Sequence, residues 1–201
     1  ISDVLVTHAH FDHVGGFPWL LRSRIGVAGP CRLYGPPGLA GHLQSFVDGV
    51  HWDRIGDHGP RFEVTELHGE AIRRYHIQAG FAGPTPAPGR PAPDGLLREE
   101  DELRIRAVTL DHGIPVLAFA LEFPRTFHVR KERLTARGLS PGPWLSVLKS
   151  HLAADAHGAL VELPDGSTRP AGALGRELVL TAAGEQQVYA TDLADTPRNR
   201  A

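Results

Sequence analysis

The chain has 201 residues, 41% hydrophobic and 22% charged, a balance that excludes a disordered polymer and allows one sizeable core with an appendage. A formal charge of −2 at pH 7 and a pI near 6.7 lay down no overall basic footprint for nucleic acid. The one cysteine, Cys31, excludes an internal disulfide, fits a reducing compartment and is expected to be buried as a small apolar group. No apolar run approaches the roughly 18 residues of a membrane span and no charged-then-apolar leader opens the chain, so a soluble, cytoplasmic protein is expected. The chain starts at Ile1, inside an expected strand, and contains no methionine, which predicts a fragment of a longer protein or a trimmed gene product.

In chain order, residues 1–7 alternate into a short buried strand. It delivers Thr7-His8-Ala9-His10-Phe11-Asp12-His13, followed by the turn chemistry of Gly15-Gly16-Phe17-Pro18 and then Trp19-Leu20-Leu21. Four metal-binding side chains fall within the six residues 8–13. Imidazole and carboxylate are the ligands that zinc, manganese or iron accept in hydrolytic centres. Three His and one Asp at this spacing cannot all reach one ion from a helix, so two ions are expected. His8 and His10 point the same way as the chain leaves the strand, while Asp12 and His13 turn past a bend toward a second ion about 3.5–4 Å from the first. The bland alternative is a chance cluster among the 12 histidines.

Residues 83–95 hold five prolines and three glycines and are predicted to be an exposed loop or linker, neither helix nor central strand. Residues 103–110 alternate as a strand ending at Asp111-His112-Gly113, and residues 115–122 read as the next, which places His112 at a strand end. Residues 130–137, closed by Gly138, predict a short helix. Pro143-Trp144 opens a second, with Trp144, Val147, Leu148 and Leu152 on one face. Between Arg125 and Lys149 six basic residues stand against one acid, Glu132. Strands resume over 177–181 and 187–191, and Asp192 follows the last. A two-ion site needs further ligands at strand ends, and His112 and Asp192 are the candidates, Asp192 as a bridge. Their alternatives are a turn histidine and a turn or cap aspartate, with Asp195 competing for the role.

His8-Ala9-His10-Phe11-Asp12-His13 with Gly15-Gly16 resembles the signature of the metallo-β-lactamase superfamily. Residues 16–21, Leu33-Tyr34-Gly35-Pro36-Pro37-Gly38-Leu39, Leu110-Asp111-His112-Gly113-Ile114-Pro115-Val116 and Leu139-Ser140-Pro141-Gly142-Pro143-Trp144 narrow the resemblance to the ribonuclease Z family of tRNA 3′-processing endonucleases. It implies an α/β (α+β) fold, the four-layer αβ/βα sandwich, incomplete here because the first strands and the later histidine motifs fall outside the chain. It also implies two Zn2+ ions, with Mn2+ or Fe2+ as substitutes. His8, His10 and His112 would hold one, Asp12 and His13 the other, with Asp192 bridging, and a metal-activated hydroxide would attack phosphorus with Asp12 orienting it and taking its proton. Asp111 and Thr7 would hold imidazole tautomers or act as local caps. On this resemblance residues 1–125 are the core with the 83–95 loop, 126–185 an inserted basic arm that grips precursor tRNA, and 186–201 the start of the second core half. Gly142, Pro143, Arg130, Lys131, Arg133 and Lys149 would touch the RNA, and a homodimer is the family's usual state. The function implied is a zinc-dependent phosphodiesterase acting on the tRNA 3′ trailer. The alternatives are a hydrolase of the same fold acting on a small cyclic nucleotide, aryl sulfate, lactone or thioester, and a noncatalytic metal-binding remnant.

Overall fold

The computed structural model describes residues 1–200, which fall into two compact units, 1–122 with 186–200, and Phe123–Glu185. In the first unit the chain runs β1 (Asp3–Leu5), α1 (Phe11–Val14), α2 (Phe17–Ser23), β2 (Cys31–Gly35), α3 (Leu39–Asp48), β3 (Arg61–His68), β4 (Ala71–Gln78) and β5 (Thr85–Pro91). It continues through β6 (Leu96–Glu100), β7 (Leu103–Asp111) and β8 (Pro115–Glu122). The second unit holds β9 (Thr126–Val129), α4 (Lys131–Ala136), α5 (Trp144–Ala153), β10 (Leu160–Glu162), β11 (Thr168–Pro170), α6 (Ala171–Leu178) and β12 (Val179–Ala182). The chain then re-enters the first unit with β13 (Gln186–Tyr189) and α7 (Pro197–Arg200).

Two sheets organise the first unit, one ordered β1-β2-β3-β4-β5, parallel over its first three strands, and one ordered β13-β8-β7-β6, antiparallel throughout. Alternation along the strands decides what fills each face. Leu33, Phe62, Val64 and Ile77 meet Phe17, Leu21, Leu39, Leu43 and Val47 from the helices on one face of the first sheet. Tyr34, Leu67 and Ile72 on its other face meet Leu97, Ile105, Leu117 and Phe119 of the second sheet. The result is an α/β sandwich of helices, sheet and sheet. On the far face of the second sheet Val108 and Val188 are exposed, so the second helical layer of a four-layer sandwich is not formed by the described residues.

Gly35 and Gly38 bring α3 onto this framework. A side chain at Gly35 would collide with Leu39, and Gly38 takes φ +91°. The α3 N-terminus is closed by the buried Glu66, whose carboxylate accepts from the Ala40 N–H at 2.8 Å and pairs with His68 Nε2 at 2.8 Å.

Three expectations need correction. The proline-rich stretch is not a loop throughout, because residues 85–91 form the edge strand β5 against β4. An edge needs only one hydrogen-bonding side, so its prolines are tolerated. The bulge between Ile72 and Arg74 is accommodated where Gly89 lies against the Ile72 carbonyl, with no room for a side chain. Val147 is exposed, so the inward face of α5 is Trp144, Leu148 and Leu152, the i, i+4, i+8 row. Glu177 and Leu178 end α6, and the strand begins only at Val179. Leu178 stays in the helix because Leu174 and Leu178 pack one turn apart in the second unit's core with Leu148 and Leu152.

Candidate metal centre

β1 fades at Leu5, but its backbone is carried on by Val6, whose N–H donates to the Tyr34 carbonyl at 2.8 Å. The Thr7 carbonyl accepts from the Leu117 N–H of β8 at 2.8 Å, so the strand end is tied to both sheets just before His8. His10 caps α1 in extended geometry, and the single turn over residues 11–14 swings His13 back over His8, their ring centroids 4.0 Å apart. The bend expected after His10 is therefore one turn of helix. It points Asp12 outward, with its side chain 80% exposed.

His112 arrives from the end of β7 through a self-closing turn. Asp111 Oδ1 accepts from the Gly113 N–H at 2.9 Å, and the His112 N–H donates to the Ile114 carbonyl at 3.0 Å. Asp111 thus acts as the local cap. The His112 ring lies 5.6 Å from that of His8 and 5.4 Å from that of His10. Asp192 follows β13 with φ +53°, and its Oδ2 lies 2.7 Å from His13 Nε2 and 3.9 Å from His8 Nε2.

Two groups result, His8–His10–His112 and His8–His13–Asp192, the ligand atoms within each lying no more than 4.8 Å apart. His8 belongs to both and is fully buried. That burial, reinforced by the nearby His13 and His10, holds its pKa below the ordinary histidine value and keeps the ring neutral, the form that ligates. Asp12 joins neither group and reaches only His13 Nε2, at 3.4 Å.

His13 Nε2 faces Asp192 Oδ2 at 2.7 Å, and the Thr7 hydroxyl stands behind the ring, 3.3 Å from His13 Nδ1. Thr7 Oγ1 then accepts from His8 Nδ1–H at 3.1 Å, which leaves the His8 Nε2 lone pair facing His10 Nδ1 at 3.0 Å. His8 Nε2 is thereby presented as a ligand, with Thr7 fixing its orientation from behind. Three imidazoles on one side and imidazole plus carboxylate on the other make a donor set that suits a divalent transition metal.

The second unit contains every residue expected to touch RNA. Lys131, Arg133 and Pro143 are exposed, while Arg130, Gly142 and Lys149 are partly covered. Among the described residues none of those four cations enters an ion pair, whereas Arg125 pairs with Asp155, and Arg137 and Arg169 with Glu177. No described helix is long and apolar enough to cross a membrane.

Residues 1–126 match the model of the metallo-beta-lactamase superfamily. The chain belongs to this family. The superfamily fold implies metal binding, and the two His/Asp groups lie where its strand ends converge. Among relatives, the chain is 32% identical over 192 residues to Ribonuclease Z of Deinococcus radiodurans, covering 94% of this chain and 56% of that protein. It is 31% identical over 189 residues to Ribonuclease Z of Halalkalibacterium halodurans, covering 90% and 50%. The chain therefore spans about half the length of these relatives. The solved human tRNase Z, short form, is similar over 60% of this chain and 43% of that one, at 19% identity and a TM-score of 0.35.

The motif from His8 to His13 and the strand-end positions of His112 and Asp192 were readable in sequence. Asn199, which binds the backbone of Asp111, was not, because it carries no motif.

Proposed function

We propose that this chain carries the core of a zinc-dependent phosphodiesterase that cleaves the 3′ trailer of precursor tRNA in the cytoplasm. The observation that supports the reading most directly is the pair of His/Asp groups sharing His8, within a chain about 30% identical to proteins named Ribonuclease Z. Divalent cations held there supply Lewis acidity, lowering the pKa of water and neutralising charge on the phosphoryl oxygens.

The chain's own residues supply the rest. His8, His10 and His112 are the ligands for one ion, and His13 and Asp192 for the other, with Asp192 placed between His13 and His8. Thr7 holds His8 Nδ1, so that ring cannot rotate out of register. Asp12, exposed and adjacent to His13, orients the attacking water and accepts its proton. Arg130, Lys131, Arg133 and Lys149, with Gly142-Pro143 setting the entry to α5, neutralise tRNA phosphates without reading bases.

The test is cleavage of a precursor tRNA by the purified protein with and without zinc. Asp12→Ala is expected to reduce the rate by about 10²–10⁴-fold, the usual contribution of a positioned acid–base group. A fully active Asp12→Ala enzyme rejects the mechanism.

A further inference from the structure

We propose that Asn199 is the positioning residue that holds the Asp192 carboxylate against His13 and His8, and so sets the affinity of that half of the centre for a divalent cation. The inference rests on the metal-binding reading above. Between Tyr189, the end of β13, and Pro197, the start of α7, the chain has no helix or strand, and Asp192 lies within this stretch in the left-handed region at φ +53°. That conformation is uncommon for a residue with a side chain and persists only where its surroundings impose it.

One carboxamide makes three of the bonds that restrain this loop, beside the pairing of Arg200 with Asp195. Asn199 Oδ1 accepts from the Asp111 N–H at 2.9 Å, while its Nδ2 donates to the Asp111 carbonyl at 2.7 Å and to the Ala194 carbonyl at 2.8 Å. The Ala194 N–H also donates to the Asp111 carbonyl, at 2.9 Å. The side chain thus pairs with both backbone groups of Asp111 as a neighbouring strand would, and its second N–H grips the loop two residues beyond Asp192. α7 is a single turn whose first N–H groups are closed by Thr196, and it serves as the peg that presents this amide.

The chemistry is specific to asparagine. Two donors and an acceptor are used at once, aspartate cannot donate, and glutamine is one methylene too long for the same reach. The His112 turn does not depend on the clamp. It is closed by Asp111 Oδ1 to Gly113 N–H, by His112 N–H to the Ile114 carbonyl and by the Asp111–Pro115 pairing of β7 with β8. Loss of Asn199 therefore falls on the loop that carries Asp192.

Amide hydrogen exchange on the metal-free chain and zinc titration against a chromophoric chelator test this with Asn199→Ala, Asn199→Asp and, as a stability control in the second unit, Leu148→Ala. Both Asn199 variants are expected to speed exchange at Ala194 while leaving Gly113 and the β7–β8 ladder protected. They are also expected to weaken one zinc equivalent by about 10–100-fold, the usual cost of losing a group that supports a ligand. Leu148→Ala should lower the thermal midpoint and leave both zinc equivalents unchanged. Unchanged Ala194 exchange, wild-type zinc affinities, an equal loss at both equivalents, or an Asn199→Ala chain that does not fold would each overturn the proposal. If the wild-type chain took up no zinc, the metal reading itself would fall, together with the affinity half of the proposal. Faster Ala194 exchange in the variants would in that case still place Asn199 as the clamp on the loop.

Discussion

Thr7→Val isolates the contribution of one hydroxyl to the centre. The side chain is buried, and valine keeps nearly its shape while removing the oxygen that lies 3.1 Å from His8 Nδ1 and 3.3 Å from His13 Nδ1. His8 is fully buried, so its Nδ1–H is left with no acceptor, a cost of about 1–3 kcal/mol. His13 is partly exposed and water can replace its lost partner, so that bond adds little. For a chain of this size the loss corresponds to a fall in thermal midpoint of about 3–9 °C, at roughly 3 °C per kcal/mol. The freed imidazole must also be re-oriented before it ligates, which should weaken zinc binding by about 10–100-fold. Differential scanning fluorimetry of the metal-free chain and chelator competition measure the two effects separately. Thr7→Ser, which keeps the hydroxyl, is expected to stay close to wild type. A Thr7→Val chain with wild-type midpoint and zinc affinity would refute the hydrogen-bond assignment and with it the role given to Thr7.

Other expectations follow from the same geometry. Asp3 accepts from Arg32 at 2.8 and 2.9 Å and from Arg98 at 2.6 Å. Partial burial alone would raise its pKa, but the Arg32 hydrogen bond and the Arg98 charge hold it below the ordinary value of 3.8. A carboxylate depressed in the folded state stabilises above the unfolded pKa and loses that stabilisation as pH falls through its folded value. Asp3→Asn should therefore cost about 1–2 kcal/mol at neutral pH, and the gap to wild type in urea melts should narrow as pH falls below about 4; a gap that does not narrow contradicts this. Phe11 is 79% exposed between His10 and Asp12, and under the proposed function its ring would offer a face on which a base of the tRNA stacks. Phe11→Ala should leave the thermal midpoint unchanged and lower kcat/KM on precursor tRNA by about 5–150-fold, the equivalent of one stacked base. Replacing Arg130, Lys131, Arg133 and Lys149 with glutamine should raise the KM for tRNA and reduce the log–log salt slope by about three, while a small phosphodiester is hydrolysed as before. An equal loss on both substrates would assign the second unit a structural role.

The grouping of His8, His10, His13, His112 and Asp192 was legible because metal chemistry restricts residue type and strand ends restrict position, whereas Asp12, named with them from the same pattern, joins neither group. The hairpin of β7 and β8 was legible for a similar reason, since period-two alternation on either side of Asp111-His112-Gly113 leaves little choice of register. What escaped depends on long-range contacts. The prolines of residues 84–91 read as loop because sequence does not show that one side of that strand would be an edge. The strand after α6 starts late because Leu178 packs with Leu174 in a core assembled from distant segments. Asn199 lies 88 positions from the residue it clamps, and nothing local distinguishes it from a turn asparagine.

The imidazoles of residues 8, 10 and 13 follow a strand of one sheet, whereas His112 and Asp192 follow strands of the other. A cation shared among them would rivet two layers already joined by apolar packing, by the Asp3–Arg98 pair and by the Thr7–Leu117 backbone bond, and at a hundredfold excess over its dissociation constant it would add about 2.7 kcal/mol to the folded state. Coordination by the full set would then be available only after both layers have docked. Under the proposed function, competence to cut would follow only from finishing the fold, a safeguard intrinsic to where these side chains sit.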